Sequence, residues 1–442
     1  MKKIVFILFL VFKIIFVNGQ ITYSKMFDLY TEWESFKYVN SVGNNICLSG
    51  TSINFFVKDS TKYRKIFIVK IDTNLTIINK NEIQENYLSA SSLFPINGLK
   101  NNYIYGVIDT NNIIKHYLIN SDSSLVISNK RSVSYNSKLD LTCNSFLNNK
   151  IYLFGFDYTN NVASKVKLSI QCVDSNGNLL WGKVFQDKRC YTNNVVQTKD
   201  GNFLLAGFKY FGESTGSDDS SFAWYAKVDT LGNILWEHLL DRKSSLLTVV
   251  AWLTKTNDRC FLSGCNIANY GYFDDVFGDT SFCYIAEIDE NNGNILWKKR
   301  FLTVVNSISG LDSRMGAMTY HNGYLYALIE HKISERENPG DYTQYVMFAK
   351  FDLQGNIIWK RLFSNWYLSN RAYSLTPIDD GFLICGDSKD STHAKGDSDA
   401  WLIKTDTNGC IIPGCNAKDG IVQIINPEKV FTVYPNPAQN EI

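Results

Sequence analysis

One phrase recurs along this chain. VDSNGNLLW ends at Trp181, VDTLGNILW at Trp236, IDENNGNILW at Trp297 and FDLQGNIIW at Trp359, and a weaker copy, TDTNGCIIP, ends at Pro413. Each copy reads as strand, Asp-x-x-Gly-Asn turn, strand. Gly supplies the positive φ that such a turn needs, and Asp and Asn bond their own backbone. A small unit repeated at a period of this length cannot bury its apolar face alone and must stack on its neighbours.

The turn Asp stands at 72, 174, 229, 289, 352 and 406, with Asn120 in a degenerate copy. The intervals of 48, 54, 55, 60, 63 and 54 residues give seven units. In the clearest unit the spacing predicts four strands, A to D, at Asn194 to Thr198, Asn202 to Phe208, Phe222 to Asp229 and Ile234 to Leu240. The B strands end in a small residue and Gly, at Gly50, Gly155, Gly207, Gly264 and Gly386. A strand Gly of this kind marks a bulge or a close backbone approach. The C strands run into the turn Asp.

The D strands follow a finer rule, Trp-x-basic-x-Phe or Leu: Trp181, Lys183, Phe185; Trp236, His238, Leu240; Trp297, Lys299, Phe301; Trp359, Arg361, Phe363. Alternation places Trp and the last apolar residue on one packed face, with the basic head solvated and its stem across the ring. The first two units, about residues 30 to 131, lack this Trp and carry Asn79 and Ile127 instead.

Four-stranded units repeated radially are the blades of a β-propeller. The chain is therefore expected to be all-β with seven blades, the degenerate units leaving six or eight open. At the N-terminus, ITYSKMF matches the D-strand rule through Tyr23, Lys25 and Phe27. The seventh unit has Pro413 where its Trp belongs, and Pro is poor in a paired strand. We therefore expect the N-terminal strand to complete the last blade and close the ring.

The N-terminal pattern leads us to expect an exported chain. Lys2 and Lys3 precede an apolar stretch from Ile4 to Val17, broken only by Lys13. With Gly19 as the cleavage position, residues 1–19 read as a signal peptide and Gln20 as the mature N-terminus. No other segment is long and apolar enough to span a bilayer. Losing three lysines leaves 41 basic against 43 acidic residues, a net charge near −2. That balance lacks the basic footprint of a nucleic-acid binder. Ten cysteines in an exported chain permit disulfides, and Cys410 with Cys415, close together at a turn, is the expected pair. Cys260 and Cys265 could pair across a bend but fit better within one strand, and the rest sit mostly at strand positions where buried thiols are the alternative.

The repeat stops after Cys415. Residues 416–430 read as a linker, and 431–442 end the chain with FTVYPNPAQNEI. The run Val433 to Asn440, with Tyr434, Pro435, Asn436 and Pro437 at its centre, resembles the opening of the type A C-terminal sorting domain of the type IX secretion system of Bacteroidota. The small β-sandwich that usually follows is absent from this sequence. The resemblance implies export through the periplasm and outer membrane, with the secretion machinery as partner, to the medium or the cell surface. Residues 20–415 also resemble the tandem propeller repeats of such exported proteins.

Chemistry is harder to find. GESTG at Gly212 to Gly216 fits G-x-S-x-G, but a nucleophile elbow needs a strand before it and a helix after it. This stretch lies in a polar loop between two strands. The five His show no metal-ligand spacing, and the repeated Asp residues fit turn chemistry better than calcium. No metal or cofactor is expected. The D-strand Trp resembles that of quinone-dependent dehydrogenase propellers, but no cofactor-site pattern accompanies it. The loop NYGYFDDVFGDTS mixes carboxylates with aromatics, and Tyr270, Tyr272, Phe273, Asp274 and Asp275 are its candidate binding residues. The long B–C loops at 209–220, 266–281, 332–343 and 388–399 should share one face.

The sequence thus points to a secreted or surface-attached binding module for a glycan or protein partner, rather than an enzyme. An extracellular polysaccharide hydrolase or lyase on the same face is the alternative. A third reading is a scaffold.

Overall fold

The computed structural model describes residues 20–27, 29, 33–42, 45–53, 64–73, 75–83, 89–90, 94–96, 102–108, 114–121, 127–133, 139–157, 167–185, 189–211, 220–240, 247–267, 282–302, 314–334, 342–364, 370–389, 398–411, 422–424 and 432–434. Strands form seven antiparallel sheets arranged as the blades of a β-propeller. Blade 1 comprises Trp33–Val42, Asn45–Ile53, Arg64–Ile71 and Ile77–Ile83. In blade 2 the A strand is split into Ser89–Ala90 and Phe94–Pro95, followed by Asn102–Ile108, Ile114–Ser121 and Ile127–Val133. Blade 3 is Leu139–Leu147, Lys150–Asp157, Lys167–Asp174 and Leu179–Val184. Blade 4 is Cys190–Gln197, Phe203–Phe211, Ser220–Val228 and Ile234–Leu239. Blade 5 is Leu247–Lys255, Cys260–Ile267, Phe282–Ile288 and Ile295–Leu302. Blade 6 is Arg314–His321, Tyr324–Ser334, Tyr342–Phe351 and Ile357–Ser364. Blade 7 takes its A to C strands from Asn370–Ile378, Gly381–Lys389 and Ser398–Thr405.

The fourth strand of blade 7 is Gln20–Phe27, antiparallel to Ser398–Thr405. The register matches the rule read from sequence. Trp181 faces Cys172, Trp236 faces Lys227, Trp297 faces Glu287 and Trp359 faces Lys350, each two residues before its turn Asp. Tyr23 faces Lys404, two residues before Asp406. In blade 2 the reading needs correcting. The bulge that precedes each D-strand Trp falls between Ile127 and Asn129, so Asn129, not Ile127, stands in the Trp position.

The apolar core lies between blades rather than within them. Seven buried clusters each join one blade to the next. One packs Tyr23, Phe27, Leu383 and Leu402 of blade 7 against Phe36, Leu48 and Phe67 of blade 1. Each interface buries large rings and branched aliphatics, and such burial stabilises by about 1.5–3 kcal/mol per side chain. A blade alone would expose both faces.

The B-strand glycines mark both features expected of them. The A strand bulges opposite each one: Lys37, Thr142, Asn193, Ala251 and Tyr373 are the inserted residues in blades 1, 3, 4, 5 and 7. At Gly386 a Cβ would lie on the Arg371 carbonyl oxygen, so no larger residue fits without moving the strand. The bulge lets pairing continue, which is why the A strand of blade 4 begins at Cys190, before the expected Asn194.

Two short strands occur where the sequence shows linker and tail. Val422–Ile424 runs parallel to the D strand of blade 6. Thr432–Tyr434 pairs with Gln20–Thr22. Both dock on outer edges, where backbone groups lack a partner. Pro435, Asn436 and Pro437 of the sorting motif lie outside the described residues.

Candidate functional site

The propeller has two unlike faces, because A–B and C–D connections emerge at one end of the blades and B–C and D–A connections at the other. The first face is occupied with holding the ring. In the turn of blade 3, the Asp174 carboxylate accepts the amides of Asn176 and Asn178 and the Asn178 side chain, at 2.8–2.9 Å. The Asn178 side chain and these amides hold the Asp174 carboxyl below its ordinary range. Asp229 and Asp352 bond their own loops in the same way. The repeated Asp residues therefore do turn work.

The D-strand Trp and basic residue then reach into the next blade. The Trp297 ring covers Gly355, where an added Cβ would stand 2.6 Å from it; Trp181, Trp236 and Trp359 cover Gly232, Gly293 and Gly409 in the same way. Lys183 Nζ donates to Asn233 Oδ1 at 2.9 Å, His238 Nε2 lies 2.8 Å from the Asn292 carbonyl oxygen, and Lys299 donates to Asn356. Arg131 of blade 2 reaches Ser175 and Asn176 of blade 3. Lys25 of the N-terminal strand donates to the Leu75 carbonyl of blade 1 at 3.2 Å. The heads of Lys25, Arg131, Lys183, His238 and Lys299 are thus tied to a neighbouring turn, not merely solvated as the sequence suggested, whereas Arg361 donates to the carbonyl of Lys360 on its own strand.

The opposite face is the end at which the B strands finish and the C strands begin. Tyr270, Tyr272, Phe273, Asp274 and Asp275 lie outside the described residues, as does Ser214 of the GESTG stretch. What is described is the base of the 268–281 loop. Cys265 and Cys283 face one another across the B and C strands of blade 5 and form a disulfide. This staple joins the residues on either side of the loop and was not read from the sequence. Cys410 is disulfide-bonded, and Cys415, its expected partner, lies outside the described residues. Cys47, Cys143, Cys172, Cys260 and Cys385 are buried thiols.

At the axis, where the A strands of successive blades pack on each other, a group of charged side chains converges at blades 6, 7 and 1. The A strands of blades 1 and 7 are tied there by Thr376 Oγ1, which donates to the Val39 carbonyl at 2.7 Å. Lys37 occupies the bulge of blade 1, and its ammonium sits over the Tyr373 ring, 3.3 Å from the centroid. Tyr373 occupies the bulge of blade 7 and donates to Asp387 Oδ2 at 2.8 Å. Arg371 bonds the Tyr373 side chain. Beneath them Glu330 accepts from Gln344 at 3.0 Å, Asn370 donates to the Gln344 carbonyl at 2.8 Å, and Ser388 donates to Asn370 at 2.7 Å.

Lys37, Arg371 and Tyr373 are half-buried, whereas Asp387 and Glu330 are buried. Burial pushes the Lys37 ammonium down to about 8, against the pull of Asp387, while Arg371 beside it pushes the same way as burial. Burial raises the Asp387 carboxyl, which Lys37, Tyr373 and Arg371 oppose. Burial and the Asp387 charge raise the Tyr373 phenol. The arrangement offers positive donors outward and keeps its carboxylates inward.

None of these five residues was singled out from sequence, yet a signal exists. The bulge position is Thr142, Asn193 and Ala251 in blades 3 to 5 but Lys37 and Tyr373 in blades 1 and 7. The position after the B-strand Gly is Phe156, Phe208 or Cys265 in blades 3 to 5 but Asp387 in blade 7. Among the described residues no group of three metal-ligating side chains occurs, and no helix is long and apolar enough to cross a membrane.

No known sequence family and no curated protein matches this chain. Solved structures share its fold. An ulvan lyase of a polysaccharide lyase family, bound to -[GlcA(1-4)Rha3S]-, is 10% identical with a TM-score of 0.50, covering 84% of this chain and 92% of its own. The propeller domain of the trilobed protease from Pyrococcus furiosus is 12% identical with a TM-score of 0.43, covering 87% and 99%. Drosophila Plexin A, in complex with Semaphorin 1b, is 8% identical with a TM-score of 0.46, covering 88% and 87%. The neighbours thus include a glycan-active enzyme and a protein-binding domain, and at these identities they show the fold alone.

Proposed function

We propose that this chain is an extracellular binding module that engages a glycan at the axis and long-loop face of the propeller. The type IX resemblance of its tail supports export to the medium or cell surface. One observation carries the reading. The short-turn face uses its Asp, Trp and basic residues on its own ring, while the axis at blades 6, 7 and 1 presents Lys37, Arg371 and Tyr373 half-exposed. Polar side chains converging beside an aromatic ring suit a hydroxylated ligand. The Cys265–Cys283 disulfide lies at the same end of blade 5, and the sequence between its cysteines is rich in aromatic and acidic residues. A ligand that binds only the folded state raises its melting temperature. Thermal-shift measurements of the mature protein against soluble glycans should show a clear rise with one class. Silence from every glycan overturns the reading.

A polysaccharide-degrading enzyme is favoured by one further observation. Tyr373 hydrogen-bonds Asp387 beside Lys37, and these groups are able to move protons. Chain cleavage by the wild type that disappears in Tyr373→Phe would establish it. Binding without cleavage leaves the binding module.

A further inference from the structure

Two cations on neighbouring inner strands repel each other, and partial burial magnifies that cost. Proteins relieve it with carboxylates in direct contact. Lys37 lacks that relief. Its ammonium lies against the Tyr373 ring, and among the described residues it makes no ion pair. The neighbouring Arg371 bonds a phenol oxygen rather than a carboxylate. The nearest acids are already engaged, Asp387 by Tyr373 and Glu330 by Gln344. The Lys37 ammonium, held on one side by the Tyr373 ring, and the Arg371 N–H groups not spent on Tyr373 therefore remain without a carboxylate in contact at the blade 7–blade 1 seam.

We propose that Lys37 and Arg371 form an anion-recognition site that takes the carboxylate of an acidic sugar, so that the glycan bound by this propeller is uronate-bearing. The inference rests on the glycan-binding reading above. A guanidinium matches the two oxygens of a carboxylate, and an ammonium adds a compact second charge. Tyr373 fixes both cations. Its ring lies under Lys37, and its hydroxyl accepts from Arg371 while donating to Asp387. The groups that face Lys37 are Arg371 and Tyr373 on one blade 7 strand, Cys385 and Asp387 on the next, and Glu330 of blade 6.

Affinity for the anion requires a protonated Lys37. Burial pushes its ammonium down to about 8, so binding should be nearly constant below pH 7 and weaken about fivefold between pH 8 and pH 9.

The test uses calorimetry on the mature protein with three probes: trigalacturonate, its neutral methyl ester and a sulfated neutral trisaccharide. Trigalacturonate should bind, the ester at least tenfold more weakly, and the sulfated sugar between them. Lys37→Met and Arg371→Gln should each weaken trigalacturonate at least tenfold, with Lys37→Arg restoring it and abolishing the weakening above pH 8. Melting temperatures of the three variants in plain buffer check that the ring is intact. Equal binding of the acid and its ester, or unchanged affinity in both Lys37→Met and Arg371→Gln, overturns the anion site and leaves the glycan-binding reading standing. Tighter binding of the sulfated probe assigns the cations to sulfate instead of carboxylate and overturns the uronate claim. Failure of every glycan, neutral ones included, removes both.

Discussion

Phe27→Ala tests whether the strand Gln20–Phe27 is a working part of the last blade. Phe27 is 5% exposed and meets Phe36 of blade 1 edge-on, with ring centroids 5.6 Å apart. Its backbone faces Ala400 in blade 7. Removing a buried Phe side chain costs about 3–5 kcal/mol, because the cavity closes only partly. Unfolding entropy of about 2.1 cal/mol/K per residue, over roughly 390 residues, is close to 0.8 kcal/mol/K, so the melting temperature should fall by about 4–6 °C. Calorimetry of wild type and variant measures this directly. Deleting residues 20–28 removes Tyr23 as well and frees the Trp401 Nε1 donor from Ser24, so its loss should be larger. If both variants melt within 1 °C of wild type, the strand does not hold the ring together and the reasoning from register fails.

Three further outcomes are expected. Gly355→Ala should destabilise by about 2–4 kcal/mol, since φ of 77° is joined to a clash with the Trp297 ring, whereas Gly201→Ala, with φ of 78° and open space around it, should lose only about 1 kcal/mol; equal losses in denaturant titrations would argue against a Trp–Gly clasp. The Cys265–Cys283 bond closes a separation of 18 residues, which corresponds to about 3 kcal/mol. The Cys265→Ala/Cys283→Ala variant should melt lower and respond less to reductant than wild type, and an undiminished response would place the redox-sensitive bond elsewhere. Burial pushes the Asp140 carboxyl up to about 6, so the fold favours its protonated form, and that contribution is complete below about pH 4 and lost as pH rises through 6. Asp140→Asn should therefore raise the melting temperature at pH 8 and leave it unchanged at pH 4; the same increment at both values would refute burial as the cause.

The blades were legible because their turn chemistry is local. Asp174 to Asn178 needs only its own five residues to close the turn, so each copy leaves the same trace. The Trp-x-basic rule was visible too, but its meaning was not. Trp297 and Gly355 belong to different units, and a period shows that units stack without showing which atoms meet. The Cys265–Cys283 bond lay one step beyond the reading. Gly207 faces Trp224 in blade 4, so Phe208 faces Ala223; carrying that register into blade 5 sets Cys265 opposite Cys283. Lys37 and Tyr373 stayed hidden because a bulge re-aims one side chain, and alternation along the strand misplaces it. The loop candidates Tyr270 to Asp275 lie outside the described residues.

The split composition of blade 7 has a consequence for biosynthesis. Tyr23 and its partner Lys404 are separated by nearly the whole chain. The strand that carries Tyr23 must wait for one made after blades 1 to 6. Blades 1 to 6 contain all their strands in sequence and are able to form as they emerge, but the final interface has to await the C-terminal segment. Until then Tyr23 and Phe27 have only the blade 1 half of their core to enter. The blade 7–blade 1 interface is completed only when strands from both ends of the propeller are present.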